Sequence, residues 1–150
     1  MDFLFTAEAG LAGLFLASFL AATLLPGGSE AVLAAVILAH PEQVIPALAL
    51  ATLGNTLGGM STYALGLLLP QGVMRSGIQA DGAGDTAIRQ LDTLRRHGAP
   101  ALLLAWAPVI GDALCAAAGW LRLPWLSCMI WMALGKGARY ALIASGVSMV

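Results

Sequence analysis

Leu24-Leu25-Pro26-Gly27-Gly28-Ser29-Glu30-Ala31 cuts an apolar run in two. Before it, Ala9 to Leu25 carries no charge, and after it only Ala31 to Ala39 stays apolar before His40. Nine helical residues rise about 14 Å, half of the roughly 30 Å hydrocarbon core of a bilayer. Proline, glycine and an acid at the centre of an apolar stretch therefore suit a re-entrant hairpin, whose tip turns back at membrane depth. Irregular backbone is tolerated there only where it is buried in protein or lines a wet cavity.

The pattern returns at an offset of 82 residues, where Pro108-Val109-Ile110-Gly111-Asp112 lies over Pro26-Gly27-Gly28-Ser29-Glu30. Each copy has a proline, a carboxylate four residues later and an Ala-rich arm, here Ala31–Ala35 and Ala113–Ala117. His40 and Pro41 follow the first arm, Arg122 and Pro124 the second, and a long apolar segment follows each. Those segments carry Leu53-Gly54-Asn55 and Leu134-Gly135-Lys136. The abundance of Ala, Leu and Gly alone produces weak similarity; the shared spacing from proline to acid is what raises it above that. Pro26, Gly27, Gly28 and Ser29, with Pro108 and Gly111, are thus the expected hairpin tips, with both turns non-helical over 26–30 and 108–112.

Two segments are long enough to span. Val44 to Leu69 is 26 residues without a charge, and Leu123 to Val150 is interrupted only by Lys136 and Arg139. One long crossing between the copies inverts the second relative to the first, the layout of many secondary transporters.

Composition agrees with a bilayer setting. Apolar residues make up 59% of the 150-residue chain and charged ones 10%, with a mean hydropathy of +0.86. A soluble domain has roughly a quarter of its residues charged, so lipid must satisfy this exterior. The net charge of −1 and the lack of a basic tail give no footing for nucleic acid. One domain is expected, over residues 1–150, small enough to suit pairing with a second copy as a homodimer. The start carries Asp2 and Glu8 but no base, so no cleavable signal segment is expected. Cys115 and Cys128 lie in apolar stretches without metal-ligand spacing, as buried inert thiols do. His40 and His97 sit at segment ends and read as solvated interface residues.

Residues 70–97 form the one hydrophilic region, with Arg75, Asp81, Asp85, Arg89, Asp92, Arg95 and Arg96. Ile88, Leu91 and Leu94 recur at intervals of three, which predicts a short amphipathic helix on the membrane face. If residues 10–40 and 98–122 each re-enter, Arg75, Arg89, Arg95, Arg96 and Arg122 all fall on one side. The positive-inside rule makes that side cytoplasmic and puts both termini outside.

Glu30, Asp112, Lys136 and Arg139 fall within membrane segments, two acids and two bases. An unpaired charge at mid-bilayer costs at least about 3 kcal/mol, so convergence on one polar cavity is expected. One reading is a structural ion-pair cluster holding the tips against the last helix. The other adds function: carboxylates at broken helix tips can carry protons, and the arginine fork suits a phosphate headgroup. Gly54-x-x-x-Gly58, with Gly59 and Gly66, lets a helix of the same chain approach closely. Trp120 and Trp125 flank Arg122 as interface anchors do. No phosphate-binding loop and no catalytic constellation is found, so no enzyme, metal or cofactor is expected.

Leu24-Leu25-Pro26-Gly27-Gly28-Ser29-Glu30, the stretch Gly54-Asn55-Thr56-Leu57-Gly58-Gly59 running on to Tyr63 and Gly66, and the spacing of Gly98, Pro108 and Gly119 resemble the DedA family of bacterial inner-membrane proteins. That family shares its domain with the eukaryotic VTT (SNARE-associated Golgi) proteins, and the resemblance is to its short YqaA-like branch. It covers nearly the whole chain from about residue 10 and implies paired inverted hairpins and lipid translocation. Glu30 carries over from the family's functional charges. Where relatives have an acid and two arginines, this chain has Gly59, Ala105 and Gly111. Asp112, Lys136 and Arg139 come instead from the charge argument, as a relocated set.

The expectation is therefore an all-α integral membrane protein, two inverted repeats (about 10–69 and 98–150) of hairpin plus long helix, joined by an amphipathic helix. Its expected role is transport or flipping of an anionic lipid, a polyprenyl phosphate or phospholipid, with protons as the candidate coupling ion. The alternatives are a proton-coupled carrier of a small ion or solute, or a non-transporting scaffold.

Overall fold

The computed structural model describes residues 7–23, 28–70, 84–107 and 110–149. Of the expected hairpin tips, Pro26, Gly27 and Pro108 lie outside the described residues. Every element among the described residues is helical. The α-helices are α1 (Ala7–Ala21), α2 (Ser29–Ala39), α3 (Val44–Leu68), α4 (Gly84–His97), α5 (Ile110–Trp120) and α6 (Trp125–Val147). A short 3-10 turn, Pro41–Gln43, precedes α3, and a longer 3-10 helix, Ala99–Trp106, precedes α5.

The helix limits follow from local chemistry. Gly28, with φ of 118°, occupies backbone space closed to side chains with a Cβ and delivers the chain into α2. At the other end His40 leaves the helical region, φ −137° and ψ 74°, in keeping with the bias against helical backbone ahead of proline. Ser29 and Glu30 form the first turn of α2, and Gly111 and Asp112 that of α5. The expectation of non-helical turns over 26–30 and 108–112 is corrected for these four and for Ile110. The small or acidic side chains of the four suit a helix N-terminus, whose free N–H groups and dipole favour an acid.

Residues 41–68 make the single helix among the described residues that is long and apolar enough to cross a membrane by itself. Helix α6 has 23 residues, about 34 Å at 1.5 Å per residue. The independent span expected over 123–150 thus has the length, but Lys136 and Arg139 lower its apolarity. The 3-10 helix gains about 2.0 Å per residue, so its eight residues reach about 16 Å, again half a membrane.

Glycines set the closest crossings. A Cβ on Gly54 would lie 2.5 Å from the Phe15 carbonyl oxygen, and one on Gly58 2.6 Å from that of Phe19. Helix α1 therefore rests on the glycine face of α3, within one chain as expected for this motif. Gly135 does the same for the 3-10 helix, its missing Cβ standing 2.6 Å from the Leu103 carbonyl oxygen. Gly66 and Gly119 bring α3 and α5 into backbone contact, with no room for a side chain at either.

Two apolar cores result. Leu14, Leu33, Val36, Ile37, Ala47 and Ala51 form the first, completed by Tyr140 and Ala144 of α6. Leu102, Leu114, Cys115, Ala118, Cys128 and Met132 lie in the second, completed by Tyr63 of α3. Each core thus takes a tyrosine from the long helix of the other half. Leu91 and Leu94 of α4 are buried in the second core, so their stripe meets protein, while Ile88 stays exposed. Leu16, Leu38, Ile45, Leu65, Leu68 and Leu142 are exposed, an apolar exterior suited to lipid.

Candidate functional site

Polar chemistry gathers at the middle of the long helices. Asn55 and Lys136 are each the twelfth residue of their helix, α3 and α6. Lys136 is buried, and its ammonium donates to the Asn55 main-chain carbonyl at 2.9 Å and to the Asn55 Oδ1. Gly59 makes room, since a Cβ there would lie 3.1 Å from the Lys136 Nζ. An ammonium can only donate, so it fixes the amide of Asn55 with oxygen toward Lys136. The Asn55 Nδ2 then donates to the Tyr140 hydroxyl at 2.7 Å. That hydroxyl shares a hydrogen bond with the Ser29 Oγ at 2.9 Å. A buried chain of polar groups therefore runs from α6 through α3 and back to the first residue of α2.

Arg139 lies one turn along α6 from Lys136 and serves the neighbouring residue of α2. Its Nη2 pairs with the Glu30 carboxylate, and its Nη1 donates to the Trp106 carbonyl at 3.1 Å. Glu30 is the second residue of α2 and Trp106 the last of the 3-10 helix. One guanidinium thus joins the start of one apolar arm to the end of another. The Arg139 side chain is 13% exposed and that of Glu30 38%, so the carboxylate is the more accessible partner.

Of the four expected charges, Glu30 and Arg139 are brought together as an ion pair. Lys136 is satisfied by an amide and a carbonyl rather than by a carboxylate. Among the described residues Asp112 has no ion-pair partner within 4 Å. The two cysteines are free and buried, with Cys115 against the Met132 sulfur at 3.6 Å. His40 approaches Glu42 at 3.4 Å in the turn between α2 and α3. No group of three metal-ligating side chains occurs among the described residues.

Sequence reasoning missed Asn55 and Tyr140 as site residues. A signal existed for both: Leu53-Gly54-Asn55 resembles Leu134-Gly135-Lys136 one residue short of the 82-residue offset, and Tyr140 follows Lys136 by four residues on one helix face.

The geometry can do two things chemically. The Lys136 network runs from the ammonium through Asn55 and Tyr140 to Ser29 and ties α2, α3 and α6 together. The Arg139 fork keeps donors beyond those used by Glu30 and Trp106, since a guanidinium has five.

No family model and no solved structure matches the chain. Curated relatives do. The Inner membrane protein YqaA of Escherichia coli is 42% identical over 139 residues, covering 90% of this chain and 89% of that protein. An uncharacterised protein of Haemophilus influenzae is 37% identical over 139 residues, covering 87% of this chain and 82% of its own length. On that identity and coverage, with an all-helical architecture and an apolar exterior, the chain is a membrane protein and belongs to the family of inner membrane protein YqaA.

Proposed function

We propose that this protein moves an anionic lipid, a polyprenyl phosphate or a phospholipid, across the bacterial inner membrane, with protons as the coupling ion. The observation that carries the reading is the position of Arg139 between Glu30 and the Trp106 carbonyl. In the re-entrant reading those two residues border the two hairpin tips, so one cation joins a flank of each. A forked guanidinium binds a phosphate oxygen pair as readily as a carboxylate. A lipid phosphate arriving there competes with Glu30, and the freed carboxylate is the group available to carry a proton.

Support for an inverted repeat comes from the packing. Each short first arm lies on a glycine of the long helix in its own half, Gly54 and Gly58 under α1 and Gly135 under the 3-10 helix. Asn55 and Lys136 hold equivalent mid-helix positions, and each core borrows a tyrosine from the other half. Polar and broken elements meeting at mid-depth are how such transporters build a substrate site. The arginine bias then makes residues 70–97 cytoplasmic and both termini external.

Reconstitution of the purified protein in vesicles tests this reading. Labelled phosphatidic acid supplied in one leaflet should reach the other faster than in protein-free vesicles, and a pH gradient should change the rate. A proton-dependent solute flux without lipid movement would replace the proposal with a solute carrier. Neither movement would leave a scaffold held together by its buried charges.

A further inference from the structure

Arg139 also forms part of a groove on the outside of the molecule. One face of α6 supplies Gly135, Ala138, Arg139 and Leu142, and the 3-10 helix supplies Leu103 and Trp106. The first four are spaced i, i+3, i+4 and i+7, a single helix face. Leu103 and Trp106 are three apart, and side chains at that spacing eclipse in a 3-10 helix. The groove exists because Gly135 and Ala138 are small: α6 touches the Leu103 backbone at Gly135, and the larger side chains stand up as walls. Leu103, Trp106 and Leu142 are exposed, so in a membrane protein the groove opens sideways into lipid. Its volume is about 230 Å³, below the roughly 300–1,000 Å³ of pockets for drug-sized ligands. From Gly135 to Leu142 it runs about 10 Å along the helix. Those dimensions suit a segment of one hydrocarbon chain rather than a whole amphiphile.

We propose that this groove seats one hydrocarbon chain of an anionic lipid, whose head reaches Arg139 while the rest of the lipid stays in the bilayer. The inference rests on the lipid-transport reading of the Arg139 site and names its lateral entrance. The walls are apolar, and the guanidinium is the one charged group among the lining residues. Its hydrogen bond to the Trp106 carbonyl lies at the exposed edge, so the fork can be approached from the groove. A neutral or zwitterionic lipid gains the apolar contact alone, whereas an anionic one gains the charge-assisted hydrogen bonds as well.

Photocrosslinking of the full chain in vesicles tests the site. The probes are phosphatidic acid and phosphatidylcholine, each with a mid-chain diazirine, at equal low fractions in an otherwise unlabelled bilayer. Labelled positions are mapped by mass spectrometry, with Leu57 and Leu65 of α3, which are also exposed, as the measure of general lipid contact. Phosphatidic acid should label Leu103, Trp106 and Leu142 severalfold above Leu57 and Leu65, and phosphatidylcholine should not. Ala138→Phe, which fills the groove from an exposed position, should abolish that preference. If Ala138→Phe does not fold, Ala138→Val asks the same question with less volume and should reduce the preference. Equal patterns for the two lipids, or a preference untouched by filling, would overturn the groove. Selective labelling without lipid movement would keep the groove and end the transport reading. Lipid movement without selective labelling would do the reverse.

Discussion

Lys136 reaches across from the middle of α6 to the middle of α3 and donates to both oxygens of Asn55. That contact satisfies a buried ammonium without a carboxylate, and the amide passes the polarity on to Tyr140 and Ser29.

Removing the amide should therefore leave the ammonium with the main-chain carbonyl alone. Asn55→Leu is expected to lower stability by about 1.5–3 kcal/mol, the usual worth of a hydrogen bond to a charged group. Lys136→Met added to Asn55→Leu should restore much of the loss, because the charge is then gone as well. Thermal unfolding of the detergent-solubilised protein measures both. An Asn55→Leu protein as stable as wild type would show that the contact contributes nothing.

Coupling energies should follow the observed pairing. A double-mutant cycle of Glu30→Gln with Arg139→Gln should give a coupling in the range of roughly 0.5–3 kcal/mol. The cycle of Glu30→Gln with Lys136→Met should give clearly less, since Lys136 bonds to Asn55 instead. Equal couplings, read as membrane abundance or melting temperature, would mean that the four charges act as one undivided cluster.

The pairing also marks how far the sequence could be read. The proline-to-acid breaks located the ends of the short arms, and the spacing of Leu91 and Leu94 located α4. Charge counting matched acids to bases, which holds for Glu30 with Arg139 but not for Lys136, whose partners are the side-chain amide and main-chain carbonyl of Asn55, neutral oxygens invisible to a charge count. The Trp106 carbonyl escaped for the same reason, because any residue at that position would supply it. The starts of α2 and α5 were legible only to two or three residues, since Ser29 and Gly111 serve equally in a turn and in a first helical turn.

Glycine positions offer a contrast in packing. Gly119→Ala should destabilise by about 1–3 kcal/mol, because its Cβ would meet the Tyr63 backbone and force the helices apart. Gly13→Ala should be neutral or stabilising by up to about 1 kcal/mol, since open space surrounds it and alanine favours a helix. Melting temperatures of the two variants in the same detergent decide the matter; equal effects would contradict the crossing of α3 and α5.

Topology is open to direct labelling. Single cysteines at positions 85 and 148, in a protein with Cys115 and Cys128 replaced by alanine, should react from opposite sides of the inner membrane. An impermeant thiol reagent outside intact spheroplasts should reach position 148 and miss position 85. Labelling of position 85 from outside would reverse the orientation drawn from the arginines.

The most direct test of the account is the transfer of labelled phosphatidic acid between leaflets of reconstituted vesicles, with wild type compared against Arg139→Lys. Lysine keeps the positive charge and removes the fork that engages Glu30 and Trp106 together. The Arg139→Lys protein should be folded and at normal abundance, with its lipid transfer at the protein-free rate. Transfer at the wild-type rate by a folded Arg139→Lys protein would contradict it.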